Sequence, residues 1–283
     1  MKSTLLTLNL PDKENISIDF YKPQKKQNVP ILLILHGFKG FKNWGFFPYI
    51  SEYFCKEGYA TFTINFSLNG VLDSIGNFFD VERFANNTLS REFQEVNIVL
   101  DWLIEKGIAS LQIPWNNQIY LLGHSRGGGI AALVNASHPL ITASAHWASV
   151  GKFGRTTSRQ NQIWKETGKL EIPNTRTGQM LHQNYSYFED LQQNSEKLSV
   201  RNAVENTTKP MLFVHGSEDL VIKPQEVSSL PELNAKKIVH YKEINKTGHT
   251  FSVQHPMETA PEALLKALSL TSTFFTSPFL FAE

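Results

Sequence analysis

The chain has 283 residues, 41% of them apolar, with 27 basic and 26 acidic side chains and a formal net charge of +1. That length suits a single α/β unit whose core needs neither disulfide nor metal to fold. The even charge excludes the basic field that nucleic acid demands, and no run approaches the roughly 20 apolar residues of a membrane span.

The opening stretch MKSTLLTLNLPDK has its apolar run broken by Thr and Asn and stopped at Pro11. It makes a poor signal peptide, and a cytoplasmic location is expected. Residues 5–10 and 17–22 are predicted as two short strands around the polar break 11–15. Apolar, β-branched runs follow at 31–35, 59–66, 118–122, 141–147, 210–214 and 237–244. Most are apolar almost throughout, as expected of strands covered on both faces in a parallel sheet. The last is more polar and suits a sheet edge. The one cysteine, Cys55, lies in the apolar-periodic stretch 49–59 and is expected as a buried thiol.

Helices are predicted between the strands. Residues 90–106 carry Phe93, Val96, Val99, Trp102 and Leu103 near a 3.6 period, with Ser90 as N-cap and Gly107 as the stop. Residues 126–138 form a small-residue helix ended by Pro139, and 261–272 a closing helix with Pro261 in its first turn. Strands alternating with helices give an α/β fold around a mostly parallel sheet. There is no internal repeat. The rhythm breaks at 151–205, where no buried-strand run occurs. Extended pieces at 169–182 surround a turn at 174–178, and 187–198 is predicted helical. A long insertion of this kind is expected to be a small cap, with 1–150 and 206–283 forming the core.

Four motifs fall at strand ends. Gly123-His-Ser125-Arg-Gly127 follows one predicted strand and opens a helix. A tight strand-to-helix turn exposes a serine hydroxyl, demands glycine where backbones collide, and aims the helix's free N–H groups at developing negative charge. His36-Gly37-Phe38-Lys39-Gly40 ends the run 31–35. His215-Gly216-Ser-Glu218-Asp219 follows the run 210–214 and offers two carboxylates that could orient an imidazole. Gly248-His249-Thr-Phe251 lies between the last strand and the last helix, where a histidine can reach over the serine. His255 is its rival; His124 and His215 are further candidates, and His36 is read as a structural hydrogen-bonder. The nine histidines have no metal-ligand spacing, so neither metal nor cofactor is expected.

With these motifs, and with the stretches Asn65-Phe-Ser-Leu-Asn-Gly70 and Phe84-Ala-Asn-Asn-Thr-Leu-Ser-Arg-Glu92, the chain resembles the α/β-hydrolase family over nearly its whole length. It is most similar to the dienelactone-hydrolase-like and prolyl-oligopeptidase-like esterases. The resemblance implies a serine nucleophile at Ser125, the acid at Asp219 rather than Glu218, and the base at His249, in the chain order of that family. It also implies an oxyanion hole made by the backbone N–H groups of Arg126 and Phe38. Serine in place of cysteine argues against dienelactone hydrolysis, and a β-propeller gate has no room. The implied function is hydrolysis of small-molecule carboxylic esters, of small acyl or of aryl and feruloyl type, through an acyl-enzyme. A peptidase or acyl-peptide hydrolase with the same triad is the alternative, and a non-catalytic binding protein a more remote one. Phe41, Trp44, Trp147 and Trp164 are candidates to line the substrate pocket.

Overall fold

The computed structural model describes residues 2–71, 80–175 and 177–281. In chain order the elements are β1 (Thr4–Asn9), β2 (Asn15–Tyr21), β3 (Val29–Leu35), α1 (Phe47–Lys56), β4 (Ala60–Asn65), α2 (Val81–Asn86), α3 (Leu89–Trp102), a π turn (Leu103–Gly107) and a last short turn α4 (Ile108–Ser110). Then come β5 (Trp115–His124), α5 (Arg126–Ser137), β6 (Ile141–Trp147), α6 (Ser158–Thr167), β7 (Lys169–Asn174), β8 (Gln179–Asn184), α7 (Ser186–Gln193), α8 (Val200–Asn206), β9 (Met211–Gly216), β10 (Val239–Ile244) and α9 (Glu262–Thr276).

The main sheet has eight strands in the order β1-β2-β4-β3-β5-β6-β9-β10. The β1–β2 and β2–β4 pairs are antiparallel, and the rest run parallel. The polar β10 is an edge, as its composition predicts. Strand alternation splits the core into two layers. Ile31, Leu33, Leu35, Ile119 and Leu121 face the layer shared with α3, α5 and α8. Leu32, Ile34, Tyr120 and Leu122 face the layer shared with α1 and α9. A run such as Val29–Leu35, buried at every position, therefore supplies both faces at once. Cys55 is buried in α1, and burial pushes its thiol up to about 11.

Three local readings need correction. The N-cap of α3 is Thr88, whose hydroxyl accepts from the N–H of Arg91 at 3.2 Å; the Ser90 N–H is instead taken by the Asp190 carboxylate at 2.9 Å. Gly107 does not stop the helix. It keeps helical angles (φ −61°), and its missing side chain makes room for the Trp102 ring, which a Cβ would meet at 3.1 Å. The closing helix runs on from Glu262 to Thr276, past the expected end at 272.

Between β6 and β9 the chain leaves the main sheet. β7 and β8 pair antiparallel as a separate two-stranded sheet, with α6 before it and α7 after it. The turn expected at 174–178 includes residue 176, which lies outside the described residues. Helix α6 escaped the sequence reading, although Thr157 and Gln160 form a reciprocal capping box and Gly168 ends the helix in the left-handed region (φ 73°). Helix α8 crosses the expected boundary at 205. Its Val200, Ala203 and Val204 join the main core, so it packs with α5 and not with the hairpin. Among the described residues, no helix is long and apolar enough to cross a membrane.

Candidate active site

The parallel strands β5, β9 and β10, with β6 between the first two, end at one rim of the sheet, and each of the three is followed by a loop bearing one chemically active side chain. Ser125 sits between β5 and α5 with φ 57° and ψ −121°, a left-handed conformation that costs a non-glycine residue about 1–3 kcal/mol. The surroundings hold it there. Its N–H donates to the Trp147 carbonyl at 2.9 Å, and its own carbonyl accepts from the N–H groups of Gly128, Gly129 and Val150 at 3.0, 3.3 and 3.3 Å. Gly127 is required by close approach, since a Cβ there would lie 2.4 Å from the His36 carbonyl oxygen.

The His249 Nε2 is 3.0 Å from the Ser125 Oγ, and its Nδ1 is 2.8 Å from Asp219 Oδ2. With Asp219 ionised, Nδ1 carries the proton and donates to the carboxylate, which leaves Nε2 to accept from the serine hydroxyl. Asp219 is 2% exposed, so burial alone would raise its pKa. Hydrogen bonds from His215 and His249, the charge of His249 and the Ile222 N–H reverse this and hold it well below the usual carboxylate range. Its Oδ1 accepts from the N–H groups of Val221 and Ile222 at 2.8 and 2.9 Å. Glu218, the other carboxylate of this loop, is exposed to solvent, and its N–H donates to the Thr247 carbonyl at 2.9 Å.

The other histidines are held elsewhere. His255 accepts from the Gly45 N–H at 2.9 Å and stands against Trp44 and Phe41. His124 donates from Nε2 to the carbonyl of His249 at 2.9 Å; burial drives its pKa down to about 3, so it stays neutral. His215 donates from Nε2 to the Ile222 carbonyl at 2.8 Å and lies 3.2 Å from Asp219 Oδ2. His36 is buried, with Nδ1 donating to the Gly37 carbonyl at 2.9 Å; burial lowers it to about 4.

The loop after β3 comes within van der Waals range of the serine. A Cβ on Gly37 would meet Ser125 Cβ at 2.8 Å and the Arg126 backbone nitrogen at 3.3 Å. The loop that carries Phe38 thus lies against the backbone of Ser125 and Arg126. Among the described residues, neither the Phe38 nor the Arg126 N–H is taken by a backbone acceptor.

Ser125, His249, Phe38 and Arg126 all border a cavity of about 730 Å³. Its far wall comes from the insertion: Trp164, Leu170, Ile172, Tyr187 and Leu191. Of the four aromatic candidates, Trp44 and Trp164 line the cavity. Two do not, and their expected role is corrected. Phe41 is fully buried in a small cluster with Val71, Phe84 and Leu181. Trp147 is fully buried against Phe46 and Phe251, with its indole N–H donating to the Thr271 hydroxyl at 2.9 Å. Sequence reading missed Val150 and Phe153, which follow β6 and face the cavity, and Ile172 in the hairpin. The alternation in Leu170–Ile172 was the available signal, since polar Glu171 separates two apolar residues.

No family model matches the chain. The protein named "Putative esterase/lipase 2" of Mycoplasma genitalium is 32% identical over 124 residues, a match spanning 44% of this chain and 38% of that one. Among solved structures, Est1E from Butyrivibrio proteoclasticus with ferulic acid bound superposes with a TM-score of 0.70 at 19% identity, covering 98% of this chain and 100% of that chain. Esterase Est2 of Thermogutta terrifontis with butyrate bound gives a TM-score of 0.65 at 16% identity, covering 97% and 93%. Identity at that level speaks for architecture alone, and together with the strand order and the serine turn it establishes that this chain has the α/β-hydrolase fold.

Proposed function

We propose that the protein is a serine carboxylesterase. The observation that carries this reading is the continuous hydrogen-bonded line from Ser125 Oγ through His249 to Asp219 at the edge of the 730 Å³ cavity. Ser125 attacks the ester carbonyl carbon while His249 Nε2 takes the hydroxyl proton. The tetrahedral oxyanion is stabilised by the N–H groups of Phe38 and Arg126. As the carbon–oxygen bond of the ester breaks, His249 returns the proton to the departing alkoxide. Water then attacks the acyl-enzyme by the same route and frees the carboxylic acid and Ser125. Asp219, held ionised, keeps His249 in the tautomer this cycle needs.

In this reading the substrate carries an apolar acyl or aryl group that fills the space between Val150, Phe153 and the insertion. The two-helix and hairpin segment from α6 to α7 acts as a cap over it. The neighbours with ferulic acid and butyrate bound support both an aryl and a short acyl choice. A panel of nitrophenyl esters of increasing acyl length, with a feruloyl ester and an anilide matched in leaving group, tests the reading. Turnover of esters, with the anilide at least about a hundredfold slower, supports it; faster anilide cleavage makes the protein a peptidase instead. Ser125→Ala should lower ester turnover on the order of 10⁴-fold without unfolding the chain.

A further inference from the structure

The stretch 84–92, singled out in the sequence, is not used by the triad, yet its two ends touch the side chains of Phe38 and Arg126. Only the backbone N–H of Arg126 is needed at the oxyanion site, so the side chain could be any that fits the helix start. Instead a guanidinium is 8% exposed beside the nucleophile, and Glu92, 1% exposed, lies under it. Arg126 donates to Glu92 Oε1 at 2.5 Å, and Asn87 donates to the same oxygen at 2.8 Å. A buried ion pair seldom stabilises a fold more than apolar residues of the same volume would. This one also leaves Arg126 Nε and Glu92 Oε2 without a hydrogen-bond partner among the described residues. Stability alone therefore does not account for it.

The geometry on the other side of Arg126 does. Its guanidinium carbon lies 4.6 Å from the centre of the Phe38 ring, and the Phe84 ring packs tilted (31°) against that ring at 5.4 Å. Phe38 belongs to no strand or helix, and the next residue, Lys39, has a left-handed φ of 56°. A turn hydrogen bond from the Gly40 N–H to the Gly37 carbonyl at 3.0 Å closes this loop, and the side-chain contacts of Phe38 add to it. The two residues whose N–H groups serve the oxyanion are clamped to each other through their side chains, and residues of one short stretch hold both halves of the clamp: Phe84 the ring, Glu92 the guanidinium.

Resting on the esterase reading, we propose that Glu92 is a positioning residue for the oxyanion site. By anchoring Arg126 under the Phe38 ring it sets the spacing of the two backbone donors.

The test compares an oxygen ester with its thionoester on the full-length protein. A sulfur anion is larger and a weaker acceptor than an oxyanion, so a well-formed pair of donors favours the oxygen ester strongly and a loosened pair less so. Glu92→Gln keeps the shape and removes the charge. It should lower kcat for the oxygen ester about tenfold, leave KM within about twofold, and shrink the ester-to-thionoester ratio by a similar factor. Phe84→Leu, which leaves the ion pair intact, should move the ratio in the same direction and serves as the test if Glu92→Gln fails to fold. An unchanged ratio in the folded variants, with both substrates slowed equally or neither slowed, overturns the proposal and leaves the esterase reading standing. A wild-type protein that turns over neither substrate and whose Ser125 is not labelled by a fluorophosphonate overturns both.

Discussion

The serine turn and the inserted hairpin border the same cavity, but they are built under opposite constraints. At the turn, β5, α5, β3 and β6 meet with backbone against backbone. Ser125 N–H and carbonyl are both engaged, and a single methyl group on Gly127 has no space. The insertion is held through a few side chains. Trp164 is its centre, 2% exposed, with its indole N–H donating to the Gln183 carbonyl at 2.9 Å and its ring stacked on Tyr187. Around it most of α6 is solvated. The proposed chemistry, which needs fixed atoms, falls on the first kind of region, and part of the pocket wall is made from the second.

This contrast can be broken by experiment. The largest effect is expected from Gly127→Ala, whose Cβ would lie 2.4 and 2.6 Å from the carbonyl oxygens of His36 and Leu35. The variant should lose roughly 4 kcal/mol or more of stability, or fail to accumulate folded, as read by denaturant unfolding. A mild change in midpoint would mean that the turn is looser than described.

Acid should act on the core before it acts on the insertion. His36, His124 and His146 are buried, and burial lowers them to about 4, 3 and 4 from an ordinary 6.5. Between those values the unfolded chain binds protons that the native chain refuses, so stability is full above about pH 6.5 and falls as pH drops. Each group contributes about 1.4 kcal/mol per pH unit in that window, so the three together about 4 kcal/mol per pH unit. The depressed Asp219 adds loss in the same direction at lower pH, where the unfolded carboxylate begins to protonate first. Melting followed from pH 7 to pH 4.5 should fall steeply below pH 6; a flat profile would contradict the neutral, buried state of these rings.

Smaller effects belong to the insertion. Trp164→Ala should cost about 3 kcal/mol locally, open the segment from α6 to α7 to protease, and raise KM for long acyl or aryl esters. Turnover of an acetate ester should stay within about threefold if the segment opens independently of the core. Loss of acetate turnover with a lowered global melting temperature would show the two regions to be one cooperative unit. Gly178→Ala should be the mildest, about 1 kcal/mol. Its φ of 72° strains an alanine, but a Cβ there meets nothing within 4 Å.

The same contrast explains what the sequence could be read for. The strands of the main sheet were legible because burial on both faces leaves a nearly unbroken apolar run, as in Val29–Leu35. The four loop motifs were legible because close backbone approach demands glycine at fixed spacing, as at Gly37 and Gly127. Glu218 and Asp219 could not be separated by chemistry alone, since both are carboxylates on one loop; what separates them is the burial of Asp219 against His249, thirty residues away. Trp147 and Phe41 read as pocket residues because an aromatic at a strand end or loop fits either the cavity or the core, and composition does not say which side it faces. Helix α6 was missed because only Trp164 in it is buried, which leaves no apolar stripe to detect. Its capping box and the glycine that stops it, Gly168, were the readable signs.

In the proposed cycle the hydroxyl of Ser125, activated by His249, becomes acylated. Rapid acid quench of the protein mixed with excess nitrophenyl butyrate, followed by peptide mass mapping, reads this directly. A butyryl group is expected on the peptide carrying Ser125 in the wild type, and none in Ser125→Ala or His249→Ala. A wild type that turns over the ester with no acyl group on Ser125, or a Ser125→Ala protein that keeps most of its turnover, would contradict the cycle.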